Sequence, residues 1–338
     1  MLKYLPWRAN SVPGISTLIL IGVGLISPLS IGAHELGMDP LPEGLSMSKM
    51  RKVSLSRMNV PSTLDWRDSQ CITPAEDQGG CGGCYVFAAT GAVEAMAILA
   101  GAPTDIDISE QEILSCMDEP IDIGGYLIHP AGCQGGYGAA VFEYLKTNDA
   151  AAESDFPYEG GDFSGNGYPL VSCHSTPSSG WSIASWNIVQ TSATNGIPTA
   201  EELKEALQHG PLWVGYMVYD DFYTYWHTAG SQSFPYSHTT GNAIGWHAVL
   251  LVGYDDVTSC FICKNSWGEN NGPKNNGTFN ISYSDNCYFG RDATWIEVVY
   301  NAPPVTSIEE VTWGQIKAKF SSGDALFRST GVTTGLDD

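Results

Sequence analysis

One stretch of this chain, residues 84–101, constrains the fold more than any other. It reads CYVFAATGAVEAMAILAG and is apolar almost throughout. The run is longer than a typical β-strand, its alanines favour a helix, and Gly101 suits the end of one. We therefore predict a buried helix whose first turn contains Cys84.

The other periodic segments divide the chain into a helical first half and a strand-rich second half. Helices are predicted after the capping residue Ser109, over residues 135–148, and between Thr199 and Gly210. Residues 157–181 are rich in Gly, Ser and Pro and are predicted to form a loop between the halves. Beyond residue 210 strand patterns predominate, in PLWVGYMVY, WHAVLLVGYDD, CFICKNSW, GTFNISY and ATWIEVVY. This order indicates an α+β chain with two subdomains.

The ends of the chain have different compositions. Lys3 and Arg8 precede the apolar run GISTLILIGVGLISPLSIGA, so residues 1–33 are predicted to be a secretory signal cleaved near Ala33. An uncleaved membrane anchor is the alternative. Residues 34–60 are expected to be a short propeptide or linker, residues 61–300 the folded domain, and residues 301–338 a C-terminal tail. We expect a secreted or extracytoplasmic protein.

Charge and cysteine content limit the partners. The 15 Lys and Arg against 37 Asp and Glu give a net charge of -22, which repels phosphate backbones, so no nucleic acid is expected to bind. Nine cysteines in an exported chain can form disulfides, and the odd number leaves at least one thiol unpaired.

Two C-x-x-C pairs, CGGC at residues 81–84 and CFIC at residues 260–263, suggest metal or redox chemistry. A zinc site is not expected, because the pairs are far apart in the chain and the second pair lies in a strand pattern. No cofactor is expected either. A thiol-disulfide oxidoreductase that uses Cys81 and Cys84 is an alternative function, although the predicted helix starts at the second cysteine and a βαβ pattern is missing.

Cys84 alone has the setting of a nucleophile. A thiol at a helix N-terminus benefits from the helix dipole, and its own amide can stabilise an oxyanion. Gln78 could supply a second donor across a glycine-rich turn. His247, at the start of an apolar strand, is a candidate base that Asn265 could orient, and Trp267 could shield that contact from water.

These residues resemble the papain-like cysteine peptidases, the papain and cathepsin family. The matching blocks extend over residues 61–300: DWRDSQCITPAEDQGGCGGCYVF, ISEQEILSC, CQGGYGAAVFEYL, PYEGG, GPLWVGYMVYDDFYTY, HAVLLVGYDD and KNSWG. Several motifs in one order are far more specific than any single C-x-x-C. The resemblance implies a papain-like fold, with a helical subdomain over about residues 75–175, a β-barrel-like subdomain over about residues 176–300, and the active-site cleft between them.

The resemblance also implies a function, which is hydrolysis of peptide bonds in protein or peptide substrates through an acyl-enzyme thioester. Cys84 would be the nucleophile, His247 the general base and acid, Asn265 its orienting partner, and Gln78 an oxyanion donor. The protein would act as a monomer. A catalytically silent binding protein with the same fold is a further alternative. The expected substrate-binding residues are Gly135, Gly136, Tyr137, Gly138, Gly245, Trp246 and Trp267.

Disulfides Cys81–Cys133 and Cys116–Cys173 are likewise implied by the resemblance. Four cysteines remain and allow three connectivities. Cys263–Cys287 together with Cys71–Cys260 is one assignment of the four.

Among the departures of the chain from the family pattern, two concern the residue after the nucleophile and the prosegment. Tyr85 replaces the tryptophan that usually follows the nucleophile. The segment between residues 33 and 61 is too short for the family's helical inhibitory prodomain, so zymogen control is expected to be weak, different or absent.

Overall fold

The computed structural model describes residues 3–4, 36–51, 60–159, 171–173, 180–191, 193, 195–228 and 234–299. Most of the predicted signal, most of the loop predicted at 157–181, and the tail from residue 301 lie outside these ranges. Within them, no helix is long and apolar enough to cross a membrane.

The predicted central helix is present as α2 (Cys84–Ala100) and is buried along almost its whole length. Gly101 ends it in the left-handed region at φ 108°, and its amide reaches the carbonyls of Ala97 and Ile98. Alanines and Gly91 allow close packing, since a β-carbon added to Gly91 would lie 3.4 Å from Leu250 on the neighbouring sheet.

Five other α-helices are described, and short 3₁₀ turns occupy Trp66–Ser69 and Gly132–Gln134. Two of these α-helices begin at the predicted caps. Ser109 and Thr199 each accept a hydrogen bond from the amide three residues further on. The helix predicted over residues 135–148 is shorter than expected. The helices are α1 (Glu43–Lys49), α3 (Glu110–Cys116), α4 (Gly138–Tyr144), α5 (Ala200–Leu207) and α6 (Asp220–His227).

The strands form two sheets. The smaller has the order β1-β5-β4 and the larger the order β10-β9-β8-β7-β11-β6-β2, with β3 also paired to β8. In the larger sheet only the short β2–β6 pairing is parallel. The strands are β1 (Lys3–Tyr4), β2 (Met50–Arg51), β3 (Thr63–Asp65), β4 (Ile121–Ile123), β5 (Tyr126–Ile128), β6 (Ser182–Val189), β7 (Leu212–Tyr219), β8 (Ala243–Asp255), β9 (Cys260–Lys264), β10 (Thr278–Ser282) and β11 (Arg291–Val299).

The α+β class predicted from the sequence is confirmed. Across the described strands the larger sheet is open, with β10 at one end and β2 at the other, so the expected barrel-like subdomain is not closed here.

Two hydrophobic cores lie on opposite faces of the larger sheet. Ala248 and Leu250 of β8 belong to the core that contains α2, α3 and α4, whereas Val249 and Leu251 belong to the core beneath α5 and α6. Successive side chains of a strand point to opposite faces, so a strand covered on both sides reads as one continuous apolar run. This explains the sequence HAVLLV.

Candidate active site

The start of α2 is held by a disulfide-bonded loop. Cys84 is the first residue of the helix, and Gly83 is its N-cap. Just before it, Cys81 is bonded to Cys133, and the Gly82 amide donates to the Cys133 carbonyl at 2.8 Å. Cys84 is itself a free thiol. The two cysteines of CGGC therefore have different chemical states, which disfavours a redox couple between them.

His247 and Asn265 are in direct contact. Nε2 of His247 lies 2.7 Å from Oδ1 of Asn265. An amide oxygen can only accept, so Nε2 donates the hydrogen, and in the neutral imidazole Nδ1 is then the nitrogen that can accept a proton. Both side chains are almost fully buried.

Aromatic rings exclude water from this pair. The Trp267 ring lies 4.9 Å from the imidazole, centroid to centroid, and the Tyr216 ring lies 5.8 Å from it. Trp267 is fully buried. The structure places Trp267 against His247, where the sequence predicts that it could shield the contact with Asn265 from water.

Cys84 is close to His247 in the fold because it contacts Ala248, the next residue along β8. Its sulfur hydrogen-bonds the backbone of Ala248, as well as that of Tyr85 and Gly37. Burial nevertheless raises the pKa of Cys84 to about 11, outweighing these hydrogen bonds. In this form Cys84 is a covered, protonated thiol.

Gln78 is clamped between the Cys81 loop and the residue after Asn265. Its Nε2 donates to the Cys81 carbonyl at 2.7 Å, and its Oε1 accepts from Ser266 Oγ at 2.6 Å. Tyr158 donates to the Gln78 carbonyl at 2.8 Å. Sequence reasoning missed Ser266 and Tyr158, although Ser266 lies within the motif KNSWG.

The cleft is occupied by the chain's own residues 36–41, a feature the sequence analysis did not anticipate. Gly136 donates to the Gly37 carbonyl at 2.7 Å and accepts from the Asp39 amide at 2.8 Å. The Met38 amide donates to the Trp246 carbonyl at 3.3 Å. Gly37 packs so closely on Gly82 that a side chain there would overlap the Gly82 backbone.

The occupying segment is anchored further along. The Leu41 amide donates to Asp292 Oδ2 at 2.7 Å, and Arg291 donates to the Leu41 carbonyl at 3.0 Å. Lys49 at the end of α1 lies over the Trp186 ring at 4.6 Å. A short segment therefore fills the cleft in a chain whose zymogen control the sequence predicts to be weak, different or absent.

The remaining residues expected to bind substrate lie around this segment. Gly245 faces Leu36, and Trp246 is half-buried with its ring 5.9 Å from Tyr288. Tyr137 is half-buried, whereas Gly138 is packed beneath Trp213, where an added β-carbon would lie 2.5 Å from the indole. Gly135 adopts φ 110° at the turn into Gly136. α4 starts only at Gly138 because the two preceding glycines belong to this cleft wall.

The second disulfide implied by the resemblance, Cys116–Cys173, is also present. The assignment of Cys263–Cys287 with Cys71–Cys260 is wrong, because all four are separate buried thiols. Cys71 Sγ instead contacts the Trp66 carbonyl at 3.3 Å, and Cys263 is fully enclosed within β9.

Similarity to known proteins identifies the family of this chain. The family described as papain family cysteine protease matches residues 60–296, so the chain belongs to that family. Cysteine proteinase 1 of Entamoeba histolytica is 31% identical over 66% of this chain and 64% of its own length. Pro-cathepsin H of Bos taurus is 30% identical over 71% of this chain and 68% of its own length. The chain thus spans about two thirds of the length of these relatives.

Solved structures support the same fold. ProCathepsin B S9 from Trypanosoma congolense superposes with a TM-score of 0.62 at 18% identity, covering 78% of this chain and 86% of that one. Procathepsin L2 from the larval midgut of Tenebrio molitor gives a TM-score of 0.61 at 23% identity, covering 80% and 81%.

Several carboxyl groups near the site prefer to stay protonated. Burial is the main cause that raises the pKa of Glu76, Glu112 and Glu153 to about 7 in each case. A carboxyl whose pKa is higher in the folded than in the unfolded chain binds its proton more tightly when folded. Its contribution to stability is therefore complete below the unfolded pKa of about 4.3 and is lost as the pH rises through the folded pKa.

We accordingly predict that the free energy of unfolding decreases between pH 5 and pH 7.5. Urea denaturation of a chain that carries Cys84→Ala measures this directly. The midpoint should move to lower urea at the higher pH, with an unchanged slope. A midpoint that rises over this interval would contradict the assignment of raised pKa values.

Proposed function

We propose that this protein is a cysteine peptidase that hydrolyses peptide bonds with Cys84, His247, Asn265 and Gln78. The observation that carries the proposal is the 2.7 Å contact between His247 Nε2 and Asn265 Oδ1. The Cys84 sulfur hydrogen-bonds the backbone of Ala248, the residue after His247. Membership of the papain family supports the same activity.

The proposed first half-reaction begins with proton transfer from the Cys84 thiol to Nδ1 of His247. The sulfur attacks the scissile carbonyl carbon, and the carbonyl oxygen becomes an oxyanion. The Cys84 amide at the N-terminus of α2 and the Gln78 side-chain amide are the donors proposed for that oxyanion. Collapse of the intermediate breaks the C–N bond, and His247 returns its proton to the leaving amine.

The second half-reaction hydrolyses the thioester. His247 takes a proton from water, the resulting hydroxide attacks the acyl carbon, and the thiolate leaves and is reprotonated by His247. Asn265 holds the ring orientation throughout, because its Oδ1 accepts from Nε2 in both the neutral and the charged imidazole.

The Cys84→Ala variant should lower peptide hydrolysis by at least about a thousandfold and abolish labelling by a thiol-directed epoxide. The matched control is Cys71→Ala, which removes another buried free thiol far from His247 in the chain. Cys71→Ala should retain both peptide hydrolysis and labelling by the epoxide. Epoxide labelling that persists in Cys84→Ala and disappears in Cys71→Ala would refute the assignment of the nucleophile.

We further propose that residues 34–60 are an inhibitory propeptide despite their small number. Three effects of the segment support this: it covers Cys84, it takes the hydrogen bonds of Gly136, and the Asp39 charge adds to burial in raising the pKa of the thiol. Substrate cannot pair with Gly136 until this segment leaves.

Gly37→Val tests the propeptide in the full chain. The valine cannot fit against Gly82, so the segment should leave the cleft, and the exposed thiol should have a lower pKa. We expect iodoacetamide to alkylate Cys84 at least about tenfold faster at pH 7, as followed by mass spectrometry, since each pKa unit changes the thiolate fraction tenfold. Glu43→Ala, an exposed position on α1, should leave the rate unchanged. Equal rates in wild type and Gly37→Val would show that the segment does not protect the thiol.

We also propose secretion, with residues 1–33 as a cleaved signal. The two disulfides support an oxidising compartment. N-terminal sequencing of the exported protein should find a start near His34. A membrane-bound chain that retains residues 1–33 would instead identify an uncleaved anchor.

A further inference from the structure

A group of carboxyl side chains includes Glu76, two residues before Gln78. Carboxylate oxygens of Glu76, Glu94 and Asp107 lie within 4.8 Å of one another. The Glu110 side chain, on α3, interacts with the Glu76 carboxyl of this group. One ammonium group, that of Lys264, interacts with Glu76, Glu94 and Asp107. The carboxyl groups outnumber this cation.

Glu94 and Lys264 form one matched part of the group. Glu94 accepts from the Thr73 hydroxyl at 2.5 Å and from the Ile108 amide at 2.9 Å. The same Thr73 hydroxyl accepts from Lys264 Nζ at 2.8 Å. Glu94 therefore has the partners of a carboxylate, and Lys264 compensates its charge.

Glu110 has a different environment. One of its oxygens accepts from the Thr90 hydroxyl on α2. The other, Oε2, is buried and has no conventional N–H or O–H donor among the described residues. The Glu110 and Glu76 carboxyl groups interact, and ionised carboxylates can only accept, so a hydrogen bond between them requires a proton between the two groups.

The Glu76 backbone links this pair to the active site. Its carbonyl accepts from the Gly268 amide at 2.8 Å, just beyond Trp267. Two residues after Glu76, the Gln78 amide donates to the Ser266 carbonyl at 2.9 Å. The Glu76–Glu110 interaction thus links the loop that contains Gln78 to helix α3. Thr90, which donates to Glu110, extends this link to helix α2.

We propose that Glu76 and Glu110 share a single proton, and that this proton positions Gln78. Loss of the proton leaves two adjacent carboxylates in a poorly hydrated site, where their repulsion displaces residues 75–78 and withdraws the Gln78 amide from the cleft. Glu76 is a positioning residue, since it acts through Gln78. The functional part of the proposal rests on the peptidase activity proposed above.

The surroundings favour the protonated pair. Burial raises the pKa of Glu110 well above its ordinary value, and the charges of Glu76 and Glu94 raise it further. Besides Lys264, the groups that face the pair are acidic or phenolic, so no second cation among the described residues stabilises two carboxylates. They are Glu94, Asp107 and Tyr158.

The test compares Glu76→Gln with Glu112→Gln. The side-chain amide introduced by Glu76→Gln can donate to Glu110 at any pH, so the variant keeps the contact without a titrating proton. Glu112 is the matched control, because its pKa is also raised to about 7 but its side chain contacts Tyr144. Glu110→Gln is a second variant in case Glu76→Gln does not fold.

The value of kcat for a fluorogenic peptide is measured from pH 5 to pH 9 in chains activated in the same way. We expect the alkaline midpoint of kcat to rise by at least about half a pH unit in Glu76→Gln, and not in Glu112→Gln. An unchanged midpoint in Glu76→Gln, or an equal rise in Glu112→Gln, overturns the proposal.

A second measurement separates this proposal from the proposed activity. In full chains that carry Cys84→Ala, the loss of urea stability between pH 5 and pH 8 should be smaller with Glu76→Gln than without it. If no chain hydrolyses peptide at any pH, the proposed activity fails, while this difference still reports the shared proton. An equal loss of stability in both chains overturns the shared proton itself.

Discussion

The packing of α2 on strand β8 is the constraint on which the rest of the structure depends. The helix is enclosed by core, and its small residues allow the strand to approach closely. Because Cys84 starts the helix and His247 lies on the strand, this one interface places the thiol against the backbone of Ala248, the residue after His247. Trp213 strengthens it from the neighbouring strand by donating to the Tyr85 carbonyl at 3.1 Å. Apolar burial of this kind is the main stabilising contribution in a fold of this size.

Burial has two opposite effects at this site. It protects the His247–Asn265 contact from water, which strengthens a hydrogen bond between polar groups in a low-dielectric environment. It also raises the pKa of Cys84 while residues 36–41 cover the cleft. The same desolvation therefore strengthens the His247–Asn265 contact and disfavours the Cys84 thiolate. Displacement of the short N-terminal segment would change both access to the thiol and its ionisation.

Much of the fold could be predicted from local pattern. α2, α3 and α5 have caps or composition that act within a few residues, so their positions could be predicted from the chain alone. α6 was missed because DDFYTYWH has weak helix propensity and depends on packing of Phe222 and Trp226 against Trp267. β6 was missed because its pairing with β11 joins residues far apart in the sequence. The predicted pairing of Cys263 with Cys287 and of Cys71 with Cys260 was wrong for the same reason. Whether two thiols lie close enough to bond depends on tertiary packing.

The sequence by itself determined the residue types of the site, the helix that begins at Cys84, and the order of motifs that indicated the family. These are local or sequential properties, and the chain carries them without folding. Only the tertiary structure decided that residues 36–41 occupy the cleft, that Tyr158 and Ser266 hold Gln78, and that Glu76 lies beside Glu94 and Asp107. Each is a contact between segments distant in the chain, which exists only once the two cores have assembled around the sheet.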